Sequence, residues 1–235
     1  MNSNPPDGTS VKKYGLALHT ASRELGLAIS NFAGDSRCKT WNLDRDLATH
    51  LHQYLVEFIG PQTWADLAFI AVAKGPGGFT GTRMGMVTAR TLAQQLDIPV
   101  FAISTLAAVA WAAHPQPPQA SEGLLSAQPP LASEGFLTIA LQMPAQRGQL
   151  FGAVYSVNKD SGLTELFPDT VMTAESWQEK LESWENSYQL IEVGSELGWS
   201  VSSVLELAYL EWKQGSRPDW SGALPYYGQH PVKGH

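Results

Sequence analysis

Apolar and polar positions along the chain fall into short β-like runs and longer stretches with helical spacing. Tyr14 to Thr20 reads as a buried strand, and Leu25 to Asn31 as its hairpin partner across Ser22-Arg23-Glu24. A third strand, roughly Cys38 to Asn42, follows Ala33-Gly34-Asp35 and completes an antiparallel meander. Asp44 to Ile59 is an amphipathic helix with Leu47, Leu51, Tyr54, Leu55, Phe58 and Ile59 on one face. Asp44 and Asp46 suit its first turn, where the helix dipole favours negative charge. Next come a strand from Leu67 to Ala73, a glycine-rich turn, and a helix from about Thr82 to Leu96 closed by Asp97-Ile98-Pro99. Val100 to Ile103 is a strand, and Ser104 can cap a helix running to Trp111.

The second half is less regular. Phe136 to Leu141, Leu150 to Asn158 and Leu163 to Phe167 read as strands. Thr173 can cap a helix to about Trp184 that places Trp177, Leu181 and Trp184 on one face, which suits core packing better than an interface. A strand from Gln189 to Val193 and a helix from Ser202 to Trp212 follow. Four segments result: a tail over 1–13, a first subdomain over 14–113, an inserted loop over 114–135 and a second subdomain over 136–235. The tail is polar, lacks the apolar run of a signal peptide and is expected to be mobile. The loop holds Pro115, Pro117, Pro118, Pro129 and Pro130, and Ala120-Ser121-Glu122-Gly123-Leu124 nearly recurs as Ala132-Ser133-Glu134-Gly135-Phe136. This is a local duplication in a surface loop, without chemistry of its own.

The turn between the fourth strand and its helix concentrates the candidate chemistry. Gly75, Gly77, Gly78 and Gly81 imply positive φ angles or a close approach by another backbone. With Thr80 they form a candidate phosphate-binding loop, because the N–H groups of a helix N-terminus face whatever lies in front of it. Thr80 or Thr82 is expected to cap the helix. Neither G-x-x-x-x-G-K-[ST] nor G-x-G-x-x-G is present. Within the helix, Gly81, Gly85, Ala89 and Ala93 recur every four residues as a stripe of small side chains, with Met84, Val87 and Leu92 supplying bulk elsewhere. Such a stripe admits a closely approaching neighbour, which is either the chain's own sheet or a helix of another subunit.

The stretch Lys74-Gly75-Pro76-Gly77-Gly78-Phe79-Thr80-Gly81-Thr82-Arg83-Met84-Gly85 resembles the signature G-P-G-S-F-T-G-[VT]-R-[IM]-G of the bacterial TsaB (YeaZ) family. Ser104-Thr105-Leu106 and the opening strand Leu16-Ala17-Leu18-His19-Thr20-Ala21 are similar to further family segments, and Leu224-Pro225-Tyr226-Tyr227 resembles its closing P-x-Y-L-R. The resemblance implies an α/β chain of the actin/Hsp70-like (ribonuclease-H-like) fold, with two subdomains that each carry a mixed sheet and flanking helices. It also implies a non-catalytic scaffold subunit in making N6-threonylcarbamoyladenosine in tRNA. Such a subunit pairs with a TsaD-type catalytic subunit, helps recruit a TsaE-type ATPase and meets tRNA through the complex. Gly81, Arg83, Met84, Gly85, Ala89 and Ala93 are then the expected pairing surface, with the opposite face of helix Asp44–Ile59 as a second candidate. In that fold an acidic residue ending the first strand holds nucleotide-bound magnesium, and this chain has His19 there, whose imidazole is a poor ligand for a hard cation. The family's charged I-D-A-R-x-G-E segment is replaced at Pro144, Gln146 and Gln149.

Composition narrows the classes further. A net charge of −7 disfavours a chain that grips nucleic acid by itself. The single cysteine, Cys38, allows no internal disulfide and fits a reducing cytoplasm. No run reaches the ~18 apolar residues of a membrane helix. The histidines form no zinc motif and no nucleophile–base pattern is present, so neither a catalytic residue, a metal site nor a cofactor is expected. Two other readings stay open: a nucleotide-binding or ATP-hydrolysing protein that uses the glycine loop, and a self-associating homodimer.

Overall fold

The computed structural model describes residues 13–113, 136–158 and 160–228. The tail before Lys13 and the repeat within 114–135 lie outside them. Nine strands and five α-helices make up the described chain. The first half gives β1 (Tyr14–His19), β2 (Glu24–Ser30), β3 (Ser36–Asn42), α1 (Leu47–Ile59), β4 (Leu67–Ala73), α2 (Phe79–Leu96), β5 (Val100–Ile103) and α3 (Thr105–Ala113). The second gives β6 (Leu137–Pro144), β7 (Gln149–Asn158), β8 (Gly162–Thr173), α4 (Ala174–Glu182), β9 (Gln189–Glu192) and α5 (Val201–Lys213). The first sheet runs β3-β2-β1-β4-β5, antiparallel in the meander and parallel beyond it. The second runs β8-β7-β6-β9, with β9 parallel to β6.

Alternation along the strands sets the layers. Leu16, Leu18, Leu25, Leu27, Ile29, Ile70 and Val72 face α1 and α2 in one apolar cluster. The opposite face of the same strands carries Ala17, Ala28, Ala71 and Ala73. These small side chains let α5 lie close against the sheet through Val201, Val204, Leu205 and Ala208. The helix α3 packs beside α5 and against the second sheet, whose far face buries Trp177 and Leu181 of α4. The order through the molecule is therefore α1/α2, first sheet, α3/α5, second sheet, α4. Although α5 belongs by sequence to the segment 136–235, it packs on the first sheet. Helix α5 thus ties the two halves together.

Two elements extend past their expected limits. β8 continues to Thr173 because Pro168 sits on an edge strand at a register irregularity, where a missing N–H breaks no ladder bond. α2 begins at Phe79 with Gly78 as its N-cap and no side-chain cap, so Thr80 and Thr82 lie inside the helix. The expected caps do form elsewhere: Ser104 Oγ accepts from the N–H groups of Leu106 and Ala107, and Thr173 accepts from Ser176. No helix among the described residues is long and apolar enough to cross a membrane.

A cation closes the far end of α1. One guanidinium nitrogen of Arg37 donates to the carbonyls of Phe58, Ile59 and Gly60 at 2.9, 2.8 and 2.9 Å. These acceptors have no partner within the helix, and the positive charge suits its C-terminal dipole. Arg37→Ala is expected to lower stability by about 1.5–3 kcal/mol in urea denaturation, with Arg37→Lys intermediate. Equal midpoints for all three proteins would show that the cap contributes nothing.

Candidate pairing groove and inter-sheet cleft

Backbone hydrogen bonds pin the glycine turn from several directions. Lys74 N–H donates to Ile103, Thr105 N–H to Gly75, Gly78 N–H to Ala21, and Tyr226 N–H to Lys74, at 2.7–2.9 Å. Gly75 has φ +98°, and a Cβ there would stand 2.5 Å from the Tyr226 carbonyl oxygen. Both facts demand glycine. Of the candidate phosphate-loop residues, Gly77, Gly78 and Thr80 line a cleft of about 1630 Å³ between the halves, while Gly75 faces the chain's own C-terminal segment.

The small-residue stripe does not form an outward surface, which corrects the expectation for Gly81, Gly85, Ala89 and Ala93. Ala89 and Ala93 are fully buried in the cluster under α2. An added Cβ would lie 2.1 Å from the Thr20 carbonyl oxygen at Gly81 and 2.0 Å from Thr20 Oγ1 at Gly85. Thr20 Oγ1 itself donates to the Gly81 carbonyl at 2.8 Å. The stripe is the seat of α2 on the end of β1, the internal alternative considered from sequence.

The outward face of α2 is where Arg83 and Met84 lie. Together with α1 it walls an open groove of about 520 Å³ lined by Leu51, His52, Val56, Phe79, Val87 and Leu92, among others. Val56, Phe79 and Val87 are 62%, 55% and 54% exposed, a concentration of apolar surface that single exposed side chains elsewhere do not match. Arg83 stands at the rim, and Met84 offers a flexible wall. The α1 face expected as a second candidate contributes His52 and Val56 to this same groove.

The cleft has a different character. Arg23, Arg45 and Arg147 line it, with Asp44 4.0 Å from Arg23. Pro144, Gln146 and Gln149 also face it, so the positions that depart from the family pattern lie on its wall. His19 does not reach it. The ring is fully buried, neither nitrogen reaches a hydrogen-bond partner in another described residue, and burial lowers its pKa to about 4.

This buried imidazole makes stability depend on pH. The unfolded chain takes up the proton near 6.5 and the folded chain only near 4. Between those values the unfolded state holds more protons, so stability is full above pH 6.5 and falls as pH drops toward 4. The total is about 3 kcal/mol. His19→Leu should flatten that part of the profile, measured as urea midpoints from pH 7 to 4.5. An identical slope in both proteins would contradict the assignment.

Sequence reasoning passed over a polar cluster beside the loop. Asp169, aimed inward at the β8 irregularity, accepts from Ser104 Oγ at 2.6 Å and Tyr155 OH at 2.7 Å, while Tyr226 OH donates to its backbone carbonyl. Burial pushes its carboxyl up, against the hydroxyls and Lys74, which hold it down. A lone acid after Pro168 carries no motif, so only the fold brings it to Ser104. No group of three or more potential metal ligands occurs among the described residues.

Comparison with known proteins supplies the context. Residues 59–128 match the family described as TsaD, tRNA N6-adenosine threonylcarbamoyltransferase. The tRNA threonylcarbamoyladenosine biosynthesis protein TsaB of Bacillus subtilis is 35% identical over 117 residues, which is 50% of this chain and 42% of that protein. The protein of the same description from Buchnera aphidicola (strain APS) is 24% identical over 151 residues, 63% of this chain and 61% of the relative. The chain thus spans about half the length of the curated relatives it matches. YeaZ from Pseudomonas aeruginosa superimposes with a TM-score of 0.68 at 19% identity, covering 91% of this chain and 99% of that one. A second solved structure, of a protein with similarity to peptidase YEAZ from Pseudomonas aeruginosa, gives a TM-score of 0.70 at 19% identity over 92% and 99%. The fold is accordingly the two-sheet α/β fold of these YeaZ structures. The glycine-turn segment thus lies within the stretch that is similar to the TsaD family, and the chain is similar to the TsaB proteins in sequence and to YeaZ in fold.

Proposed function

We propose that this chain is a non-catalytic pairing subunit in tRNA threonylcarbamoyladenosine formation, acting in the cytoplasm. A TsaD-type catalytic subunit docks on the α1–α2 groove, a TsaE-type ATPase joins the assembly, and tRNA is met through the complex. The observation that carries this reading is the exposed apolar groove on the helix with the glycine-turn signature, with Val56, Phe79 and Val87 each more than half exposed. In the absence of that partner the same groove serves a homodimer. The test is reconstitution with the TsaD-type and TsaE-type proteins of the same organism, following modified adenosine in tRNA by mass spectrometry. Modification should depend on adding this chain; the same yield without it would overturn the role.

Nucleotide binding is the second reading, favoured by the three arginines around the cleft and by the α2 N-terminus in its wall. Against it stands His19, turned into the core where a magnesium-holding carboxylate is expected. Calorimetric titration with ATP, with and without magnesium, separates the readings. A magnesium-dependent binding heat would move nucleotide binding ahead.

A further inference from the structure

The segment from Leu224 to Gly228 crosses the seam between the two halves as a strap. Tyr226 N–H donates to the Lys74 carbonyl in the glycine turn at 2.7 Å, and its hydroxyl donates to the backbone of Asp169 on the second sheet. Gly228, at φ +63°, is pressed onto Phe151 and Val171, where an added Cβ would lie 2.5 and 2.6 Å from their side chains. Between these anchors the Tyr227 ring lies on the Phe79 ring, with centroids 4.5 Å apart and an interplanar angle of 34°.

Phe79 is the first residue of α2 and lines both the cleft and the groove, as do Ala48, Thr80 and Met84. Tyr227 lines the cleft alone. One wall therefore separates the two concavities, and the strap supports it from the cleft side. Over half of Phe79 is exposed, and the first-turn N–H groups of α2 have no side-chain cap. The start of this helix is held by the turn's backbone bonds, by the Thr20 hydroxyl on the Gly81 carbonyl and by this ring contact.

We propose that Tyr227 is a positioning residue for pairing: by packing its ring against Phe79 from the cleft side it fixes the shape of the groove that the partner enters. The proposal rests on the pairing role of the groove given above. Tyr227 does not itself line the groove, so its effect on a partner is transmitted through Phe79. The strap also spans both sheets, so any shift of one half against the other reaches the groove through the same ring pair.

The test compares wild type with Tyr227→Ala, Tyr227→Phe and the groove variant Val87→Lys, each titrated against the TsaD-type protein of the same organism. Amide hydrogen exchange over Phe79–Met84 is followed in the same proteins. Tyr227→Ala should weaken pairing about three- to tenfold and speed exchange in that segment, while Tyr227→Phe preserves both. Tyr227→Leu, which keeps apolar bulk without the ring, gives the same readout should the alanine variant not fold. Unchanged affinity in Tyr227→Ala alongside lost pairing in Val87→Lys would overturn the positioning role and leave the groove intact. A lower melting temperature with unchanged affinity would likewise reduce the strap to a structural brace. Wild-type pairing by Val87→Lys would remove the groove itself, and the proposal with it.

Discussion

Val87→Lys is expected to abolish the proposed pairing of this chain with a TsaD-type protein, and to prevent self-association, while the fold stays intact. The side chain points away from the α2 seat and is 54% exposed, so the substitution displaces no core atoms and changes helix propensity only slightly. Covered by a partner, the new ammonium would sit in an apolar groove whose neighbouring charges on α2, Arg83 and Arg90, carry the same sign. Aspartate would be a weaker probe, because those arginines stand one helical turn away and would compensate it. Burying an unpaired charge there should cost on the order of 3 kcal/mol or more, about a hundredfold in Kd. Circular dichroism and thermal melting should match wild type. Retained affinity would show that pairing uses another surface.

Ala89→Leu should have the opposite profile. Were Ala89 on the pairing surface, as the sequence suggests, a bulky residue here would block pairing and spare the fold. With Ala89 fully buried between α2 and the first sheet, the added carbons have no room and would prise the helix from the end of β1. Overpacking of this kind costs about 1–3 kcal/mol. For a domain of this size that is roughly 2–10 °C in Tm. Any loss of pairing would follow from a displaced α2 and would scale with the loss of stability. A variant that melts like wild type yet fails to pair would restore the small stripe to the interface.

These two residues show how far the sequence could be read. The stripe Gly81, Gly85, Ala89, Ala93 announces that something approaches α2 closely, but small side chains suit a sheet end and a foreign helix equally well. The deciding fact is Thr20, whose carbonyl and hydroxyl fill that space, and strand-to-helix proximity is not written in either segment alone. Val87 was visible as bulk off the stripe, yet its exposure depends on α1 leaving a gap beside it. The strands of the first sheet were legible because large and small residues alternate along them, Leu16 and Leu18 against Ala17. The same alternation holds the clue to where α5 lies, since an alanine face requires a helix close against it. The destination of α5 itself was hidden, because its apolar stripe fits either sheet. Asp169 was missed because Pro168 interrupts the strand pattern just before it, although the edge position of β8 tolerates both. Tyr226 and Tyr227, visible in the sequence only as a closing motif, dock back onto the glycine turn and Phe79.

The central claim, that the α1–α2 groove is a pairing surface, is tested most directly by size-exclusion chromatography with light scattering. Wild type and Val87→Lys would each be run alone and mixed with the TsaD-type protein of the same organism. The account predicts a heteromeric peak for wild type that displaces any homodimer, and separate monomer-sized peaks for the variant. A heteromeric peak of equal size and yield for both proteins would contradict it.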